Sequence, residues 1–192
     1  MELVAVIVTL AAVYLTTRQV IWCWPVGLVG ATLYGVIFFE ARLYADMGLQ
    51  GLYFALGVYG WWAWLHGGED HGELRVRHAP RGLLLALVLG AAIAGLLMGL
   101  TLYRFTDASL PFLDSTLTWG SIAAQYLQAR KLLENWLLWI VVDVVYVGMF
   151  VYLGLFLTAA LFAGFLVLAL MGLSSWRGSM PEQTIAAPGV AP

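Results

Sequence analysis

Charge is what this sequence has least of. Of its 192 residues only 10% are Asp, Glu, Lys or Arg, whereas 62% are hydrophobic and the mean hydropathy is +0.89. A soluble domain carries about 25% charged residues and cannot hide so much apolar surface. Bilayer spans of roughly 20 apolar residues each account for the composition. Cys23 is the single cysteine, which excludes an internal disulfide and a multi-cysteine metal site. It reads as a small apolar residue of a span rather than a reactive thiol. No basic block is present, so nucleic acid is excluded as a partner. There is no G-x-S-x-G, and His66, His71 and His78 all fall in one polar loop. That argues against Ser/His/Asp catalysis and, for lack of fixed spacing, favours solvated histidines over a metal site. No Lys or Arg precedes the first apolar run, MELVAVIVTLAAVYL, and no small-residue cleavage site is evident. It reads as a retained span.

What is present is apolar sequence in seven pieces, near 2–16, 20–39, 47–65, 82–103, 113–128, 133–153 and 155–173. They predict an all-α membrane protein with seven transmembrane helices. HGGEDHGELRVRHAPR (66–81) is the one substantial polar loop. The tail SMPEQTIAAPGVAP is Pro/Ala-rich without a periodic apolar face, a composition that predicts disorder.

The sequence repeats itself at an offset of 112. AAVYL (11–15) falls on AAQYL (123–127), Arg18 on Arg130, Trp24 on Trp136, Tyr34 on Tyr146, Phe38 on Phe150, Gly60 on Gly172 and Trp64 on Trp176. Positions 11–64 give 14 identities in 54 without a gap, against roughly 4–5 from apolar composition alone. Three-helix units joined directly would be inverted, and one extra span between them restores a common orientation. The expected architecture is therefore two parallel three-helix repeats joined by a linker helix, as in secondary transporters that hold substrate between their halves. The expected divisions are 1–66, first repeat; 67–81, cytoplasmic loop; 82–104, linker helix; 113–176, second repeat; and 177–192, disordered cytoplasmic tail. Seven of the nine Lys and Arg (Arg18, Arg75, Arg77, Arg81, Arg130, Lys131 and Arg177) fall on one side, and Arg42 and Arg104 on the other. This predicts a cytoplasmic C-terminus and an external N-terminus.

Asp143, in ENWLLWIVVDVVY, stands out because a carboxylate inside a span costs about 2.5–3.5 kcal/mol on insertion scales. At helical spacing it shares a face with Trp136, Trp139, Tyr146 and Phe150. An aromatic wall holding one anion suits a flat organic cation. The competing reading is that Asp143 pairs with a group on another helix and the tryptophans are packing or interface anchors. The fifth span carries Asp114, Thr118, Ser121, Gln125 and Gln128 on one face, either a water-accessible path or helix–helix glue. Asp114, after Pro111, is equally a helix-start cap. Gln50, Tyr53, Gly57 and Trp61 line one face of the third span, where Tyr53 and Trp61 also fit as lipid-facing anchors. Gly95-x-x-x-Gly99 in the linker permits a close helix contact.

WPVGLVGATLYGVIFFEARLYADMGLQ, YGWWAW, LPFLDS and RKLLENWLLW resemble the PnuC vitamin transporters over about residues 18–177. The resemblance implies a SWEET-like arrangement of three, one and three helices. It also implies facilitated diffusion of nicotinamide riboside across the cell (inner) membrane, with trapping by a cytoplasmic kinase. The family's W-x-x-W implies substrate stacking at Trp136 and Trp139, and LYADMGLQ implies a polar contact from Gln50. Nicotinamide riboside members carry a neutral amide near position 143, where this chain has Asp143, and thiamine-transporting relatives share the framework. Both vitamins contain a cationic aromatic ring, so both stay open. The substrate-binding set expected is Trp136, Trp139, Asp143, Tyr146, Gln50, Tyr53, Trp61, Thr118, Ser121 and Gln125. No cofactor, metal or catalytic residue is expected. The expected partners are the vitamin, the lipid bilayer, the kinase and, in a homo-oligomer, further copies of the chain. An embedded enzyme would need a nucleophile, metal cluster or acid–base pair at one depth, and a non-transporting scaffold would leave the polar stripe unexplained.

Overall fold

The computed structural model describes residues 2–42, 44–68, 72–107 and 109–180. His71 and residues 181–192 of the tail, about which the sequence raised expectations, lie outside them. The described residues form seven helices: α1 Glu2–Thr17, α2 Cys23–Glu40, α3 Tyr44–His66, α4 Arg81–Phe105, α5 Pro111–Ala129, α6 Asn135–Tyr152 and α7 Phe156–Gly178. By length and hydropathy alone, α2, α4, α6 and α7 suffice to cross a membrane. α1 is short, and α5 carries the polar stripe that the sequence placed on one face.

Two of the three helices in each half repeat to the residue, and α1 and α5 repeat at their ends, Thr17 and Ala129. Adding 112 to the bounds of α2 and α3 gives those of α6 and α7. The helix ends repeat as well. Gln19 and Lys131, 112 apart, leave α1 and α5 through left-handed backbone at φ 56° and 54°, and Arg42 and Gly154 do so after α2 and α6 at 60° and 73°. Only Gly154 takes that conformation without a Cβ penalty.

Packing follows the same rule. Within each half α2 packs on α1 and α3, and α6 on α5 and α7; between halves α3 packs on α5 and α7 on α1. Each half thus offers the other the same surface, the signature of a two-fold relation. α4 stands outside this arrangement and packs on α5. Its buried residues are Gly95 and Gly99. A Cβ there would stand 2.8 Å from the Cα atoms of Thr116 and Phe112, so the small-residue spacing serves a helix–helix contact. Leu85, Leu89, Ile93, Leu96 and Leu97 of α4 are exposed, as side chains meeting lipid must be.

The turn 18–22, the loop from 72, the turn 130–134 and the end of α7 gather at one end of the bundle. Gln19 Nε2 donates to Ser179 Oγ at 2.7 Å. The Arg77 N–H donates to the Lys131 carbonyl, and the Leu133 N–H to the Arg77 carbonyl. Glu134 accepts from the Ala79 N–H at 2.7 Å and lies 2.8 Å from His78 Nδ1. Leu74 and Val76 are buried against the core. The polar loop is therefore strapped down along 74–79.

Candidate functional site

Between the halves lies a cavity of about 290 Å³ lined by every helix except α4. Its walls obey the repeat. Val13 pairs with Gln125, Thr16 with Gln128, Trp24 with Trp136, Gly27 with Trp139, Ala31 with Asp143, Gln50 with Phe162, Tyr53 with Phe165 and Gly57 with Ala169, each pair 112 apart and every member lining the cavity. A space bounded by such pairs sits on the two-fold axis. Its chemistry is not two-fold. α6 presents an indole and a carboxylate, and the matching places on α2 hold Gly27 and Ala31, which leave room.

Asp143 is 4% exposed and belongs to this wall. Among the described residues it accepts no hydrogen bond and meets no cationic side chain; the ion pair among them is His78–Glu134, at the loop-bearing end. Burying such a group alone costs several kcal/mol, and the open side of Asp143 is the cavity. Trp139, one helical turn away, is half-buried, and its Nε1 donates to Gln128 Oε1 at 3.2 Å. Its ring is held at that edge, packs against apolar neighbours and lines the cavity with the remainder.

Trp136 is different. It is 1% exposed, its ring lies against Gly172, and it meets Trp176 edge-on at 5.3 Å and 89°. Trp24 does the same in the first half, against Gly60 and with Trp64 edge-on at 5.4 Å and 89°. Trp64 and Trp176 meet at 5.7 Å, so four indoles form one chain across the axis and plug the cavity at the loop-bearing end. Each edge-to-face pair contributes about 0.5–1.5 kcal/mol beyond its buried area. Lys131 Nζ stands 4.5 Å over the Trp64 ring, and burial draws its ammonium below the usual lysine range, opposed by Glu73. Among the described residues the indole N–H groups of Trp24 and Trp136 have no partner.

Of the ten residues expected to bind substrate, Gln50, Tyr53, Gln125, Trp136, Trp139 and Asp143 line the cavity, and four do not. Trp61 is 38% exposed, because beyond Gly57 the inward face of α3 runs through Gly60 and Trp64. Tyr146 stacks on Phe150 and against Phe162 at 4.6 Å, so Phe162 takes its place on the wall. Thr118 faces the Tyr146 hydroxyl. Ser121 donates to the Leu117 carbonyl at 2.9 Å and faces Tyr53. Lining residues absent from the expected set include Trp24, Gln128, Phe162 and Phe165. Phe162 and Phe165 look like any apolar pair in α7, but they are the repeat mates of Gln50 and Tyr53.

The family model described as nicotinamide mononucleotide transporter matches residues 1–178. The chain belongs to this family. As a member of the nicotinamide mononucleotide transporter family it is a multi-pass membrane transporter, and the resemblance drawn from its motifs holds. It is 30% identical to the nicotinamide riboside transporter PnuC of Escherichia coli (strain K12), with 95% of this chain and 87% of that protein covered. It is also 30% identical to the riboflavin/roseoflavin transporter RibM of Streptomyces davaonensis, with 91% and 83% covered. The fold matches a crystal structure of the vitamin B3 transporter PnuC with a TM-score of 0.69 at 22% identity, covering 91% of this chain and 79% of that one. The seven helices, as two parallel repeats and a linker, are therefore those of this transporter family.

Proposed function

We propose that the protein carries nicotinamide riboside by facilitated diffusion across the inner membrane, and that a cytoplasmic kinase traps the product. The observation that carries this reading is Asp143, buried on the cavity wall one turn from Trp139 and unpaired among the described residues. The pyridinium of nicotinamide riboside supplies both complements, a flat face for the indole and a positive charge for the carboxylate. Six of the residues expected to bind substrate, with Gln50 and Gln125 as amide contacts for ribose or carboxamide, surround the same space. A flavin fits less well. Its three fused rings are neutral, leaving Asp143 unpaired, and about 290 Å³ sits at the small end of ligand pockets, which run roughly 300–1,000 Å³. Thiamine is the second reading, because its thiazolium offers Asp143 and Trp139 the same ring and charge.

The loop-bearing end faces the cytoplasm on this reading, following the excess of Lys and Arg there. A reporter that fluoresces only in the cytoplasm, fused to the C-terminus, then lights up. Copies of the chain assembling in the membrane are compatible with the exposed apolar face of α4. The function is tested with purified protein in liposomes given labelled nicotinamide riboside, thiamine or riboflavin. Uptake of the first above protein-free liposomes supports the reading, and uptake of riboflavin alone refutes it.

A further inference from the structure

Gln128 touches both the ring offered to substrate and the plug that closes the cavity. Its Oε1 accepts the Trp139 N–H at 3.2 Å, and its main-chain carbonyl accepts the Trp64 N–H at 3.1 Å. Its repeat mate Thr16 keeps only half of this arrangement. The Thr16 carbonyl accepts the Trp176 N–H at 3.0 Å, but its hydroxyl turns back to the Ala12 carbonyl at 2.9 Å. The place matching Trp139 is Gly27, with no ring to hold. The link therefore exists only in the half that carries the aromatic–acid wall.

Trp139 packs against two apolar clusters and presents the rest of its ring to the cavity. Stacking on a flat ligand requires one plane, and a hydrogen bond at the indole edge selects it. Fixing that plane before the ligand arrives removes part of the ordering cost of binding. Building on the nicotinamide riboside reading of the site, we infer that Gln128 is a positioning residue: it sets the plane of Trp139 for the ligand ring and ties that ring to the Trp64 plug.

The test is a double-mutant cycle on Gln128→Met, which keeps the length and loses the acceptor, and Trp139→Phe, which keeps a ring and loses the N–H. Each single variant weakens nicotinamide riboside binding by about three- to tenfold, the size of one lost hydrogen bond. The double variant is no weaker than the weaker single one. Gln128→Glu, which retains an acceptor oxygen, restores binding. Multiplication of the two single effects in the double variant overturns the inference, because the residues then act independently. A parent protein that does not bind nicotinamide riboside counts against the proposed function instead, and a second readout needs no ligand. Cys23, the single cysteine, belongs to the apolar cluster against which Trp139 packs. Its alkylation by a small maleimide rises at least threefold in both single variants and no further in the double. Rates equal to the parent's in both single variants overturn the inference.

Discussion

Trp64 and Trp176 make the same bond in opposite directions: each indole N–H crosses to the other half and donates to a main-chain carbonyl, Gln128 at 3.1 Å for the first and Thr16 at 3.0 Å for the second. Since 128 and 16 are themselves 112 apart, the two bonds are images of each other about the axis that carries the cavity. Both rings belong to the plug, so these bonds join the halves where the path is closed. On the proposed function, a ligand passing toward the loop-bearing end parts them.

Trp64→Phe and Trp176→Phe should therefore cost similar stability, about 0.5–1.5 kcal/mol each for one hydrogen bond. Thermal unfolding in detergent measures this. A large loss in one variant beside none in the other would mean that the two-fold relation is geometric but not energetic.

Filling the small wall should block binding without loosening the bundle. Gly27 and Ala31 face the space claimed by Trp139 and Asp143, and the nearest side chain to a Cβ added at Gly27 is Ala12 at 3.8 Å. Gly27→Trp and Ala31→Leu are expected to weaken ligand binding at least about tenfold, equivalent to about 1.4 kcal/mol, while the unfolding midpoint stays near that of the parent. Normal binding in both variants would place the ligand elsewhere.

Uptake should be passive. Among the described residues Asp143 is the one acid on the cavity wall, and a cationic ligand accounts for it without a proton relay. Vitamin inside protein-loaded liposomes should rise to the outside concentration and stop there, with or without a proton or sodium gradient. Accumulation driven by either gradient contradicts this.

Much of this architecture is legible in the sequence because a repeat of 112 is a covalent fact before it is a structural one. Trp24, Gly60 and Trp64 matching Trp136, Gly172 and Trp176 contains the plug in advance, and the Asp143 face points at the cavity. The misses have physical causes. Periodicity on α3 placed Trp61 with Gln50 and Gly57, but the inward face follows steps of 3 and 4 through Gln50, Tyr53, Gly57, Gly60 and Trp64, a heptad path that leaves Trp61 outside. Thr118 and Ser121 sit on a polar stripe, yet two tyrosines on other helices take them up, and a single helix does not reveal its neighbours. Trp136 lines the cavity as its motif led one to expect, and Gly172 lets α7 pack against the same ring, which the motif does not reveal. Phe162 and Phe165 carry no signal of their own and become visible only when the α3 face is transferred through the repeat.

On the proposed function Asp143 selects its ligand by charge. Nicotinamide riboside and its reduced dihydro form differ little in shape, but only the first carries a positive ring. The decisive measurement is the dissociation constant of each ligand for the parent protein and for Asp143→Asn, which preserves side-chain size and removes the charge. The parent is expected to prefer the cation by at least about tenfold, roughly 1.4 kcal/mol, and Asp143→Asn to bind the two forms alike. Equal affinities in the parent, or a preference for the cation that survives in Asp143→Asn, would contradict this.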